Sequence, residues 1–256
     1  MTDFAIKVLN SKIGNTYLFS VGQAGYIIKS SNGKYLGIDL YLSDCVERIE
    51  GNIGFKRLLP KILNPFDIEF DVLITTHAHR DHFDIDSIPE LMSNSITKLF
   101  ASENCRQDVL NLSLSEDNVE YVKPGQTSCV DDFSIEFVSC DHGLNAPDAF
   151  GVIVSVDRKK LYFTGDTCLR LDCVNEYIDK GPFDVMVAPI NGAYGNLDEN
   201  DCAVLSGAIN PKITIPSHFG MFAHHGGDPG KFINIMNEKY PNNKYFIFTM
   251  GEGIVL

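Results

Sequence analysis

The stretch Ile74-Thr75-Thr76-His77-Ala78-His79-Arg80-Asp81-His82-Phe83-Asp84 packs three imidazoles and a carboxylate into six positions, directly after the apolar run Phe70-Asp71-Val72-Leu73-Ile74. Neutral imidazole is the commonest nitrogen ligand for metals, and carboxylates complete such sites. His77 and His79 are two apart, so in extended chain they point to the same side. Asp81 and His82 follow where the chain must turn, and can aim at a second point nearby. The pattern therefore suggests two metal ions close together rather than one. A lone histidine is usually a core or surface residue. Four fixed residue types in the order H-x-H-x-D-H, however, arise by chance on the order of once in several hundred chains of this length.

Three other apolar, β-rich runs end in candidate ligands. Phe133 to Ser139 delivers Cys140-Asp141-His142, the hairpin Ala149–Val156/Leu161–Thr164 delivers Gly165-Asp166-Thr167, and Lys212 to Pro216 delivers Ser217-His218. In layered α/β architectures function gathers at such strand ends. The remaining histidines, His224 and His225, could line the same pocket or lie on a surface loop. Two metals need roughly three to four protein ligands each plus a shared water. One workable partition gives His77, His79 and His142 to one ion and Asp81, His82 and His218 to the other, with Asp166 bridging. A water between two such cations would be acidic enough to attack a carbonyl or phosphoryl centre.

The elements that must carry these residues read as follows. Phe4 to Leu9, Thr16 to Val21, Tyr26 to Lys29 and Lys34 to Asp39 are expected strands, with Asn32-Gly33 as a type I′ hairpin signal. Asp39, at a strand end, could stand behind a metal ligand or cap a turn. Residues 41 to 66 look irregular, and Arg48, Arg57 or Lys61 there could bind a substrate phosphate or carboxylate. Ser87 with Pro89 and Glu90 marks a helix through Met92. Ser102 to Leu112, Asp172 to Ile178, Glu199 to Ile209 and Lys231 to Tyr240 are further helices. Tyr121-Val122, Phe183 to Ile190 and Tyr245 to Thr249 are further strands, the last closing the chain. Two mixed sheets with helices outside accommodate this order in one domain, residues 1–256.

At 256 residues with 44% hydrophobic and 21% charged residues, the composition is that of a folded α/β chain. A formal net charge of −13 works against nucleic acid or an anionic membrane as partner. No apolar stretch is long enough to span a bilayer, and Met1 to Lys7 lacks a signal-peptide core. The 7 cysteines form no C-x-x-C pair, which fits reduced thiols in a cytoplasmic protein.

Thr-His77-Ala-His79-Arg-Asp81-His82, then His142, then Tyr-Phe-Thr-Gly-Asp166-Thr, then Ile-Pro-Ser-His218 resemble the ordered motifs of the metallo-β-lactamase-fold hydrolases. The resemblance runs from Gly22-Gln23-Ala24-Gly25-Tyr26 nearly to the C-terminus. It implies a four-layer αββα sandwich with a dinuclear site at one edge of the sheets, and the ligand partition above. Within that superfamily, Asp-His-Phe-Asp84, Pro189-Ile190-Asn191-Gly192 and His218-Phe-Gly-Met-Phe222 are most similar to the L-ascorbate-6-phosphate lactonase branch. That implies a hydrolase opening a lactone or related ester of a small, optionally phosphorylated, sugar acid. Two divalent ions, zinc or manganese, would serve it, with iron as the alternative. Asp81 would ligate and shuttle a proton to the leaving oxygen, and Asn191 and Tyr194 would orient substrate. The same fold also carries phosphodiesterases and iron-dependent oxidoreductases, so both stay open. The expected partner is a small molecule, and a homo-oligomer remains open.

Overall fold

A computed structural model of the chain describes residues 1–144 and 146–256. Among the described residues, thirteen strands form two sheets. They are β1 (Tyr17–Gly22), β2 (Gly25–Lys29), β3 (Tyr35–Ile38), β4 (Val72–Thr75), β5 (Lys98–Ala101), β6 (Val119–Tyr121), β7 (Thr127–Val130), β8 (Phe133–Ser139), β9 (Phe150–Val156), β10 (Lys159–Phe163), β11 (Val185–Pro189), β12 (Ile213–Ser217) and β13 (Gly253–Val255). The first sheet has the order β13-β1-β2-β3-β4-β5-β6 and the second β12-β11-β10-β9-β8-β7. Both mix parallel and antiparallel pairs.

The alternation of side chains along each strand builds the layers. Val72 and Ile74 of β4 face the core between the sheets, where they meet Leu161 and Phe163 of β10. Leu73 points the other way, toward Phe4, Ala5, Val8 and Val109 on outer helices. Tyr162 of β10 likewise points outward to a third core containing Cys202 and Ala203 of the helix Glu199–Ile209 and Phe232 and Met236 of the helix Pro229–Lys239. Three apolar layers between two sheets and two sets of helices make the αββα sandwich that the motifs imply.

Several elements differ from the sequence reading. Phe4 to Leu9 is a helix, Asp3–Leu9, not a strand: Thr2 accepts the Ala5 N–H as its cap, and buried Phe4, Ala5 and Val8 fall on one helical face. Tyr245 to Thr249 joins β12 through a single parallel bridge, Thr214 to Tyr245, and its Phe248 fills the inter-sheet core instead. The closing strand is β13, which pairs antiparallel with β1. The β2–β3 hairpin exists, but of its expected turn pair only Gly33 has positive φ, at 88°. Type I′ needs both residues there. Residues 41 to 66 contain the short helix Cys45–Glu50 and a turn at Asn52–Phe55. Strand β7 went unread because its TSCV sequence is half exposed and only weakly apolar. No helix among the described residues is long and apolar enough to cross a membrane.

Candidate metal centre

The topology sends every candidate ligand to one edge. Strands β3 and β4 are parallel, as are β10, β11 and β12. Strand β8 is antiparallel to β9, which is antiparallel to β10, so β8 and β10 also end together. Beyond these ends lie Asp39, His77 to His82, His142, Asp166 and His218, and the hydrogen bond from Phe150 N–H to Thr76 O (3.2 Å) ties the two sheets there.

The first group converges through His77 Nε2, His79 Nδ1 and His142 Nε2. The His77–His79 pair is 2.9 Å apart and the His142–His79 pair 3.2 Å. The second group is Asp81 Oδ2, His82 Nε2 and His218 Nε2, with His218 3.3 Å from Asp81 and 3.2 Å from His82. Asp166 Oδ2 stands between the groups, 3.1 Å from His218, 3.4 Å from His82 and 3.8 Å from His142. Within each of the sets His77/His79/His142, His77/His82/Asp166 and Asp81/His82/His218, one donor atom per residue lies within 4.8 Å of the others.

This donor set fits a metal. His79 Nδ1 has one in-plane lone pair or proton, and it is shared between His77 Nε2 and His142 Nε2, so the three nitrogens cannot all be well paired with one another. His142 Nδ1, on the far side of its ring, has no hydrogen-bond partner among the described residues. A cation at the convergence point would satisfy all three nitrogens at once.

The electrostatics separate the two groups in the metal-free protein. Burial pushes His77, His79 and His142 below the ordinary histidine value, His142 to about 4, so all three offer neutral nitrogens. Burial also pushes His82 and His218 down. There the Asp166, Asp81 and Asp39 carboxylates outweigh it, and they hold His82 well above the ordinary range and His218 at about 9. A raised group contributes stability fully below its unfolded value near 6.5, and that contribution is lost as pH climbs through about 9. His77, His79, His142 and His225 are lowered, so near pH 6.5 they oppose this trend; above about pH 7.5 they are neutral folded and unfolded alike and add no slope. Chelator-treated protein is therefore expected to show a falling Tm from about pH 7.5 to 9. A Tm that rises across that window in thermal melts would contradict the assignment of charge.

Behind the ligands stand residues that the sequence pointed to weakly or not at all. Asp39, left open between two roles, accepts from His82 Nδ1 at 2.9 Å and from the Thr76 N–H at 2.8 Å. It thereby fixes the His82 tautomer and aims Nε2 at the centre. Asp39→Asn is expected to weaken metal affinity about 10–100-fold, read by chelator competition; an unchanged affinity would remove this role. Gln23, in the β1–β2 turn at φ 54°, donates Nε2 to Asp81 Oδ2 (2.8 Å) and to His225 Nδ1 (3.0 Å). Burial keeps His225 neutral, at about 4, and its ring stacks on His218 at 5.0 Å. Asn196 donates Nδ2 to Asp166 Oδ2 (2.7 Å) and to Asn191 Oδ1 (3.1 Å). Gln23 lies between two glycines at a strand end, a signal that marks a turn but not its partners. Asn196 gave no signal of its own.

A cavity of about 490 Å³ opens above the two groups, bordered by His79, Asp81, His142, Asp166 and His218. Tyr194 borders it too, 57% exposed and in the left-handed region at φ 55°. Asn191 is buried behind Asn196 and does not border the cavity. Arg48 pairs with Asp86 and Lys61 with Asp44, and Arg57 donates to the Tyr41, Ser43 and Leu59 carbonyls. None of the three borders the cavity, so the option of a phosphate-binding cation from this loop is not realised there.

With fold and site described, the class follows. The sequence model of the β-lactamase superfamily domain matches residues 17–218, and the chain belongs to that family. Its fold is the metallo-β-lactamase fold. It is 27% identical over 186 residues to a UPF0173 metal-dependent hydrolase of Staphylococcus carnosus, covering 69% of this chain and 79% of that one. In structure it resembles Igni18, a metallo hydrolase of Ignicoccus hospitalis, with TM-score 0.73 at 21% identity over 94% of this chain and 98% of the other. It also resembles the metallo-β-lactamase fold protein YhfI of Bacillus subtilis, with TM-score 0.71 at 13% identity over 95% and 100%.

Proposed function

We propose that this protein is a metal-dependent hydrolase that opens a lactone or related ester of a small acid, using two divalent cations held by His77, His79, His142, Asp81, His82, His218 and Asp166. The observation that carries this reading is the pair of three-residue donor groups joined by Asp166 on the floor of one open cavity. The UPF0173 relatives, themselves described as metal-dependent hydrolases, support the same class. When bound, such cations supply Lewis acidity and a nucleophilic water at neutral pH. Zinc or manganese suits the imidazole-rich set, with iron the alternative. The whole chain, 1–256, acts as one hydrolase domain in this reading.

The side chains divide the remaining work. Asp81 commits Oδ2 to His218 and Gln23, and its Oδ1 makes no hydrogen bond among the described residues. That oxygen is placed to hold a proton and pass it to the leaving alkoxide. Gln23 keeps Asp81 from rotating. Asn196 fixes the orientation of Asp166, and Asn191 acts by holding Asn196. Tyr194, at the cavity border, contacts substrate. The net charge of −13 favours a small-molecule substrate over nucleic acid.

The test combines metal analysis with a substrate panel. Mass spectrometry of the purified protein is expected to find about two equivalents of zinc or manganese. δ-Valerolactone or p-nitrophenyl acetate should be hydrolysed in preference to bis(p-nitrophenyl) phosphate. Efficient cleavage of the phosphodiester with no lactone or ester turnover would replace this reading with a phosphodiesterase. A single iron without hydrolysis would move it to the oxidoreductases of the fold.

A further inference from the structure

The cavity above the donor groups has a wall that the hydrolytic chemistry does not use. Phe55, Tyr194 and His225 reach it from three separate segments: the turn after Cys45–Glu50, the loop after β11 and the loop after β12. Their rings meet at angles. Phe55 lies 6.4 Å from Tyr194 at 34° and 6.2 Å from His225 at 90°, and Tyr194 lies 5.5 Å from His225 at 62°. Rings so arranged offer both faces and edges to a fourth ring, the two geometries aromatic groups prefer.

The wall is built in place. The His224 N–H donates to Gly54 O (3.0 Å) and the Leu58 N–H to Met221 O (2.9 Å), so the segments carrying Phe55 and His225 are tied by their backbones. A Cβ on Gly54 would approach the His224 ring to 2.3 Å, and glycine alone allows this closeness. Gln23 fixes His225 through Nδ1. Tyr194 is the telling member. It is 57% exposed, so core packing does not explain it, and its left-handed backbone at φ 55° is unfavourable for an aromatic residue.

Away from the donor groups, the charged side chains at the border offer no partner to an anionic group. Arg80 is the guanidinium among the described border residues, and it is bound on both Nη atoms by Asp108, at 2.6 and 3.1 Å. Glu50 also borders the cavity, is exposed, and makes no ion pair among the described residues. A phosphate or sulfonate on the substrate would meet a free carboxylate and no free guanidinium or ammonium.

We propose that Phe55, Tyr194 and His225 form a slot for a flat, uncharged aromatic ring carried by the substrate. The inference rests on the hydrolase reading for the bond that is cleaved, but binding in the slot can be measured without turnover. The probes are non-hydrolysable lactams: 3,4-dihydroquinolin-2-one, which carries a fused benzene ring, and piperidin-2-one, which lacks it. Calorimetry on the metal-loaded protein is expected to show the fused lactam binding about tenfold tighter, the size expected of a few aromatic contacts. Tyr194→Ala, at an exposed position, should remove most of that difference while leaving Tm near wild type; Phe55→Ala should do the same at some cost in Tm, because Phe55 also packs on Phe222 and His224. A sulfonate on the benzene ring should weaken binding. Equal affinity for the two lactams, an unchanged ratio in both variants, or tighter binding of the sulfonate would overturn the slot. If the fused lactam binds as expected but neither aryl nor alkyl esters and lactones are turned over, the slot stands and the hydrolase reading falls.

Discussion

Asp166→Ala is expected to purify folded, to lose most of its bound metal, and to lower kcat/KM on any substrate of the wild-type protein by roughly a thousandfold or more. That exceeds the 10–100-fold typical of a residue standing behind a ligand. Asp166 Oδ2 contacts His82 and His218 of one group and His142 of the other. Removing any one histidine would cripple one group; removing Asp166 takes a donor from both. It also removes the negative charge that, with Asp81 and Asp39, offsets the burial of His82 and His218. The folded state should tolerate the change, because Asp39 still faces His82 at 2.9 Å and Asp81 still faces His218 at 3.3 Å, and the other bond lost is the one from Asn196. Metal content per chain and steady-state kinetics check it together. Full metal content with full activity in the variant would show that the donor groups are not a metal site at all. His77→Ala should lose the first group in the same assay, since His77 Nε2 is completely buried against His79.

Asp84→Ala should act on stability. Asp84 closes the motif and is completely buried, and its two oxygens take six donors. Oδ2 accepts from the Leu42 and Ser43 N–H groups (2.8 Å each) and from Ser87 Oγ (2.8 Å). Oδ1 accepts from Ser43 Oγ (2.6 Å) and from the Asp86 and Ser87 N–H groups (3.1 and 3.3 Å). Truncation leaves these donors buried without an acceptor, so a loss of about 3–5 kcal/mol is expected. For a chain of this size that is a fall in Tm of roughly 10 °C. Asn is no remedy: an amide nitrogen in either position points a donor at three donors. A Tm within a degree or two of wild type for both variants would show that the carboxylate does not carry this corner. The residue looked like a branch-specific signature in the sequence. In the structure it fastens the turn after His82 to the segment after Asp39, which keeps both sides of the metal centre in register.

The legibility of this chain is uneven for physical reasons. Candidate ligands could be read from sequence because four of them crowd into 77–82 and the other three each follow an apolar strand. Strand-to-loop transitions with chemically active residues leave a local trace. The helix Glu199–Ile209 was read to the residue because the Asp198 cap, the acidic first turn and the Asn210 stop are all local. The first element is ambiguous in sequence because its Phe4-Ala5-Ile6-Lys7-Val8-Leu9 run is apolar enough for either period. Burial of Phe4, Ala5 and Val8 in the outer core, with Phe4 on Phe19 of β1, is a tertiary matter and selects the helix.

By itself, then, the sequence determined the residue types that can hold metal, their order, and the strand ends that carry them. The tertiary structure decided what no local pattern encodes. It placed Gln23 beside Asp81 and His225, 58 and 202 positions away, and turned Asp39 onto His82. It set Phe55 and Tyr194 on one wall and turned Arg48, Arg57 and Lys61 away from it. These are contacts between loops, whose conformations are fixed by the scaffold they cross rather than by their own propensities. The donor set is thus written in short-range pattern, whereas the shape and charge of the cavity above it exist only once the two sheets have closed on one another.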